Sequence, residues 1–280
     1  MPYTKSDVSL YYEIAGTGRP VVLIHGWPLS SRMWEYQVPD LVAAGFSCIT
    51  YDRRGFGDSN RPWDGYEYET LTADLDNLLT ELDLHDVALV GFSMGGGEVA
   101  RYLGTRGSNR VSRAVLMSSV TPYLHHSSEN PAGVPVETLE GFGTAMTHDR
   151  IGFLEGFGQD FFGLPDGGSP DKAGGPRDVP SDALTGHFLQ IEAFASPSAT
   201  RDCAAAFGST DFTADLGQMT VPTMILHGSA DKIVPFDATG KRAAKLIAGS
   251  RLEVIEGGPH GIWYTHRQKV NELLIDFLNS

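Results

Sequence analysis

The chain has 280 residues, of which 41% are hydrophobic and 20% charged, the profile of one large soluble globule able to bury a sizeable core. Against 21 Lys and Arg stand 35 Asp and Glu, a formal net charge of −14, so the average surface repels nucleic-acid phosphates and anionic lipid headgroups, and neither is expected as a partner. No apolar run approaches the roughly 18 residues that would span a bilayer, and the opening MPYTKSDVSL has no apolar leader core, so a cytoplasmic protein is expected.

In chain order, strand-length apolar runs occur at Val8 to Ile14, Val21 to His25, Ser47 to Tyr51, Val87 to Phe92, Ser112 to Met117, Thr223 to His227 and Arg251 to Ile255. Helix-period segments lie between them, at Ser31 to Ala44, Tyr68 to Leu82, Met94 to Thr105, Phe236 to Ile247 and Arg267 to Leu278. This alternation predicts an α/β fold with a mainly parallel sheet covered by helices on both faces. The rhythm stops between about Val120 and Gly217, where Gly and Pro mix with aromatics. That stretch reads as a helical cap over 121–217 inserted into a core of 1–120 and 218–280. Short helices are expected at Val136 to Met146, Asp149 to Phe162 and Asp182 to Ala193, with Asp166 to Pro180 the flexible segment. Cys48 and Cys203 show no metal-type spacing and read as buried free thiols.

The strongest local signal is Gly91-Phe92-Ser93-Met94-Gly95, a G-x-S-x-G pattern between an apolar strand and an amphipathic helix. In that context it is a nucleophile elbow, with small residues where the strand and helix backbones converge and Ser93 pushed into a pocket. The helix N-terminus puts the amide of Met94 where a developing oxyanion would sit. A serine hydroxyl needs a base, and of nine histidines His260, in the Gly-rich loop EGGPHG after the last strand, best fits the chain order Ser, Asp, His. His25 and His227 belong to an early turn and a strand, His85 to a loop, His266 to a helix start, and His125, His126, His148 and His187 to the cap. The orienting carboxylate is assigned to Asp231, just beyond the penultimate strand in ILHGSADKIVP; Asp237 is the rival, inside the next helix pattern. A second oxyanion donor is sought at His25-Gly26-Trp27-Pro28, with the Trp27 amide as candidate and Pro28 restricting its backbone. Trp27, Pro28, Phe142, Phe157, Phe161 and Ile233 are the candidate pocket residues. Of the cap aromatics, Phe142, Phe153, Phe157, Phe161, Phe162, Phe188 and Phe194, together with Met146, line either an acyl pocket or the packing between helices.

Other chemistries fit less well. The Gly-rich stretch 91–97 matches neither GxxxxGK[ST] nor GxGxxG, and no clustered Cys/His spacing points to a metal. Glu98 reads as a buried hydrogen-bonding residue, and the charges of Asp52-Arg53-Arg54-Gly55-Phe56-Gly57-Asp58-Ser59 as locally paired.

The motifs VVLIHGWPLSSRMWE, YDRRGFGDS, LVGFSMGGGEVARYL, ILHGSADKIVP and GGPHG together resemble the cofactor-free bacterial haloperoxidase and arylesterase/perhydrolase family of the α/β-hydrolases. The resemblance covers nearly the whole core and is weak in the cap. It implies Ser93, Asp231 and His260 as a triad, an oxyanion hole of the Trp27 and Met94 amides, and no haem, flavin or metal. In that family a proline at the place of Pro28 accompanies esterases in which hydrogen peroxide competes with water for the acyl-enzyme, and the peracid then oxidises halide in free solution. The expected partners are a small ester, hydrogen peroxide and a short carboxylic acid; a homo-oligomer is left open. Haloalkane dehalogenases and epoxide hydrolases share the HGWP-like turn but resemble an aspartate at position 93. A lactone or C–C bond hydrolase, and a non-catalytic small-ligand receptor on the same fold, are the competing readings.

Overall fold

The structure is a computed structural model and describes residues 2–164 and 178–280. The chain runs through β1 (Tyr12–Ala15), β2 (Arg19–Ile24), a 3-10 turn (Ser31–Tyr36), α1 (Val38–Ala43), β3 (Phe46–Tyr51), α2 (Tyr68–Glu81), β4 (Val87–Phe92), α3 (Met94–Thr105) and β5 (Val111–Met117). Four helices follow: α4 (Val136–Phe161), α5 (Asp182–Phe194), α6 (Pro197–Ser209) and α7 (Thr213–Gly217). The sheet then resumes with β6 (Thr223–Gly228), α8 (Gly240–Leu246), β7 (Arg251–Ile255), α9 (Ile262–Thr265) and α10 (Arg267–Asn279).

The seven strands form one sheet in the order β1-β3-β2-β4-β5-β6-β7, antiparallel only between β1 and β3. Every residue of β4 and β6 is buried; the unbroken apolar VALVGF of β4 is what a central parallel strand covered on both faces requires, while TMILHG of β6 buries Thr223 and His227 along with its apolar residues. Parallel register carries the carboxyl ends of β2, β4, β6 and β7 to one edge, where α/β sheets place their ligand crevice.

Several boundaries differ from those read in the sequence, each for a local reason. The first strand begins at Tyr12 rather than Val8, because upstream the Ser9 and Tyr11 amides donate to the side chains of Asn60 and Ser59 instead of to a neighbouring strand. The helix expected over 31–44 breaks at Gln37, ahead of Pro39, into the 3-10 turn and α1. The helix expected from Phe236 starts at Gly240, since the amides of Ala238 and Thr239 turn back to the Pro235 carbonyl. In the inserted segment the two expected helices at 136–146 and 149–162 are the arms of α4, which breaks at Asp149 (φ −149°, ψ 89°); the Asp149 carboxylate accepts from the Gly152 amide and so caps the second arm. The sequence reading missed α6 altogether, although Ser196-Pro197 places proline in its first turn. Most of the expected flexible segment, 166–177, lies outside the described residues. Among the described residues no helix is long and apolar enough to cross a membrane.

Candidate active site

The chain turns from β4 into α3 through Ser93, whose backbone sits at φ 54°, ψ −118°. Few non-glycine residues adopt that region, and they persist there only when the surroundings hold them. Here the Ser93 amide donates to Met117 O on β5 (2.8 Å), and the Ser93 carbonyl accepts from the amides of Gly96 (3.0 Å) and Val120 (3.4 Å). A side chain at Gly91 would bring its Cβ to 2.4 Å from the Gly95 carbonyl oxygen, and one at Gly95 to 2.6 Å from that of Ile24. Strand, elbow and the β2 end are therefore in backbone contact that tolerates no Cβ.

His260 follows β7 and is almost fully buried. Its Nε2 lies 2.9 Å from Ser93 Oγ and its Nδ1 2.7 Å from Asp231 Oδ2. With Nδ1–H donating to the carboxylate, Nε2 has a lone pair for the serine proton. Asp231 sits after β6; its Oδ1 accepts from the amides of Ile233 (2.9 Å) and Val234 (2.8 Å). Burial pushes the Asp231 carboxyl up, but the charge of His260 and the hydrogen bonds from His227 and His260 outweigh it and hold the group at about 2.

The turn after β2 lies against the elbow: a Cβ on Gly26 would approach Ser93 Cβ to 3.1 Å. The Trp27–Pro28 peptide is cis. Met94 is the first residue of α3, where a helix has no internal acceptor for the amide and presents its positive end. Beneath the turn, Arg53 donates through Nη2 to His25 O (2.7 Å) and through its amide to His25 Nε2 (3.0 Å), and pairs through its guanidinium with Glu98 of α3. Glu98 also accepts from Tyr51 Oη (2.8 Å). Burial, together with the Arg53 charge, drives the His25 imidazole well below its ordinary value. Glu98 is buried as expected, but the basic turn is not paired only locally. Arg53 reaches α3 and Arg54 reaches Asp74 of α2, because the turn leaves β3 underneath both helices, while Asp52 does accept locally from the Asp58 amide (2.7 Å) and also from that of Ser31 (2.7 Å).

Above Ser93 opens a cavity of about 420 Å³. Of the candidate pocket residues, Trp27, Phe142, Phe157 and Ile233 line it, together with Phe153 of the aromatic series and with Val120, Leu124, Val134 and Phe207, which the sequence reading did not name. Pro28 and Phe161 are not on its wall. Phe161 packs edge-on to His260, with ring centroids 5.0 Å apart, and against Phe92. Of the remaining aromatics, Phe162 and Phe188 border a second cavity between α4 and α5, Met146 is core, and Phe194 is exposed beneath the Arg61 guanidinium. The mouth carries Lys232 and Asp160, 3.6 Å apart and both largely exposed. Cys48 and Cys203 are buried free thiols whose burial pushes each up to about 12. Among the described residues no group of His, Cys, Asp and Glu is arranged to hold a metal ion.

Comparison with known proteins places this geometry in context. The family model described as alpha/beta hydrolase fold matches residues 19–266. The crystal structure of bromoperoxidase from Bacillus anthracis is 46% identical and superposes with a TM-score of 0.93, covering 99% of each chain. Non-heme chloroperoxidase CPO-A1 of Kitasatospora aureofaciens is 41% identical over 279 residues, 99% of this chain and 98% of that protein. The bifunctional esterase/perhydrolase DCH of Acinetobacter calcoaceticus is 32% identical over 280 residues, 99% and 98% of the two.

Proposed function

The chain belongs to the alpha/beta hydrolase fold family, among its non-heme haloperoxidases, and on that premise we propose that it is a serine hydrolase of small carboxylic esters with a peracid-forming side activity. The observation that carries the reading is the hydrogen-bonded line Ser93–His260–Asp231, whose serine faces an apolar cavity. In this reading Ser93 Oγ attacks the ester carbonyl while its proton passes to His260 Nε2, and the imidazolium returns that proton to the departing alkoxide, leaving an acyl ester on Ser93. Water, or hydrogen peroxide in its place, then gives a proton to His260 and attacks the acyl carbonyl. Carboxylic acid or peracid leaves, and the serine hydroxyl is restored. Asp231 holds the Nδ1–H tautomer and balances the charge that develops on the ring, and the amides of Trp27 and Met94 receive the oxyanion. The esterase/perhydrolase named among the relatives supports the competition between water and peroxide.

The same proposal takes residues 1–120 and 218–280 as the hydrolase core and 121–217 as a cap that supplies the aromatic wall. A reducing compartment such as the cytoplasm suits the two buried free thiols.

The test is p-nitrophenyl acetate hydrolysis by the wild type and Ser93→Ala, followed by bromination of monochlorodimedone in acetate, peroxide and bromide. Both activities are expected in the wild type and neither in the variant. Full activity in Ser93→Ala, or a wild type inert to short esters, overturns the hydrolase reading; Ser93-dependent hydrolysis without bromination removes only the peracid part.

A further inference from the structure

We propose that His227 is a positioning residue for the Asp231 carboxylate, sharing with His260 the single oxygen Oδ2. His227 lies in β6, wholly buried, and the sequence reading left it as a strand residue. Its Nε2 is 2.8 Å from Val234 O and 3.3 Å from Asp231 Oδ2. Both neighbours are acceptors, so Nε2 carries the hydrogen and points between them. Nδ1 is buried with no hydrogen-bond partner, and the backbone of Gly240 closes on it so tightly that a Cβ there would come to 2.6 Å. The environment therefore uses Nε2 as the donor and leaves Nδ1 without a partner.

The carboxylate therefore meets four donors. Oδ1 takes the amides of Ile233 and Val234, and Oδ2 takes His260 Nδ1 at 2.7 Å and His227 Nε2 at 3.3 Å. Val234 closes a ring, donating to the carboxylate through N and accepting from His227 through O. One imidazole thereby fixes both the carboxylate plane and the loop that carries it. The longer arm belongs to His227, which has no path to Ser93 and acts only through Asp231.

Charged groups on the elements packed against β6 are engaged elsewhere. Arg113 of β5 donates to the carbonyls of Phe277 and Ser280. Arg251 of β7 pairs with Glu253 and Asp276. On α8, Lys241 pairs with Asp237, Arg242 donates to Ala238 O and Lys245 is exposed; Lys232 pairs with Asp160. A donor on Oδ2 draws off part of the charge that would otherwise fall on His260 Nδ1. Removing it leaves that charge to His260 alone, which makes His260 a stronger base and loosens its partner.

This inference rests on the reading of Ser93, His260 and Asp231 as the reacting line. The experiment measures p-nitrophenyl acetate hydrolysis across pH by His227→Leu and His227→Gln, with rates normalised to sites titrated by diethyl p-nitrophenyl phosphate. In His227→Leu, kcat is expected to fall about 10-fold with KM within about 2-fold, as for loss of a hydrogen bond to a charged group, and the acid limb of kcat/KM to move up by about half a pH unit. His227→Gln keeps an N–H donor and is expected to recover most of kcat and the wild-type limb. A His227→Leu protein with lowered Tm but unchanged kcat per titrated site and an unmoved limb overturns the assignment, as does a Gln variant no better than Leu. Should His227→Leu fail to fold, the downfield proton spectrum decides: the His227 Nε2–H resonance is expected to move upfield in Asp231→Asn, and a resonance that stays in place overturns the proposal. Activity that survives Ser93→Ala overturns the reacting line and this inference with it. Activity abolished by Ser93→Ala alongside an unmoved limb in His227→Leu overturns the His227 assignment alone.

Discussion

The indole of Trp27 donates from Nε1 to the carbonyl oxygen of Thr200 at 2.9 Å, so the turn after β2 is tied through one side chain to α6 of the inserted helices. Trp27→Phe keeps a ring in the cavity wall and leaves the backbone amide untouched, but strands a buried carbonyl. The expected cost is about 1–2 kcal/mol, a Tm lower by about 3–6 °C, with kcat reduced less than about 10-fold. Calorimetry alongside steady-state kinetics checks this; a kcat loss as deep as that of Ser93→Ala would contradict it.

Asp231→Asn should preserve the outline of the site while presenting the wrong hydrogen-bonding partner to His260 Nδ1, and kcat/KM should fall by about 10³–10⁴. The folded carboxyl titrates near 2, below its ordinary 3.8. A depressed acid contributes stability that is fully present above the unfolded value and is lost as pH falls through the folded one. In the wild type, then, roughly 2 kcal/mol should disappear between about pH 4 and pH 2, and urea titrations of Asp231→Asn should lack that step.

Arg53 and Glu98 are both wholly buried, so breaking the pair from one side leaves a charge without compensation. Arg53→Met alone should cost about 3–5 kcal/mol. Arg53→Met combined with Glu98→Leu should regain much of that. Denaturant midpoints of the two single variants and the double variant close the cycle; strict additivity would show that the charges are not coupled.

Glu192, on α5, is almost fully buried, and burial pushes its carboxyl up to about 8 from 4.5. The folded protein therefore holds a proton that the unfolded chain releases, and stability should decline as pH rises from about 4.5 towards 8. Glu192→Gln removes that dependence and should be more stable than the wild type at pH 8 by roughly 4 kcal/mol. Equal stability of the two proteins at pH 5 and at pH 8 would refute it.

What could be read from the sequence was whatever local chemistry dictates. β4 and α3 coincide with the ranges read in the sequence because VALVGF is apolar without interruption and the glycines flanking Ser93 demand a close turn. Of Ser93, Asp231 and His260, chosen by chain order, His260 lies within hydrogen-bond distance of each of the other two. Partners distant in sequence were not legible. Nothing in the DRRGFGDS turn announces that Arg53 will meet Glu98 some 45 residues on, and the strand pattern hides that His227 turns its ring towards Asp231. The inserted helices were the least legible, since an aromatic series at helical spacing does not say which rings face the cavity and which, like Phe161, support a histidine from behind.

A serine held at φ 54° between glycines that admit no Cβ is a poor choice for a chain selected for stability alone. The corner is thus a sprung one: glycine at position 93 would ease the backbone while removing the hydroxyl that His260 meets, so firmness of the fold and possession of that hydroxyl pull in opposite directions at this residue.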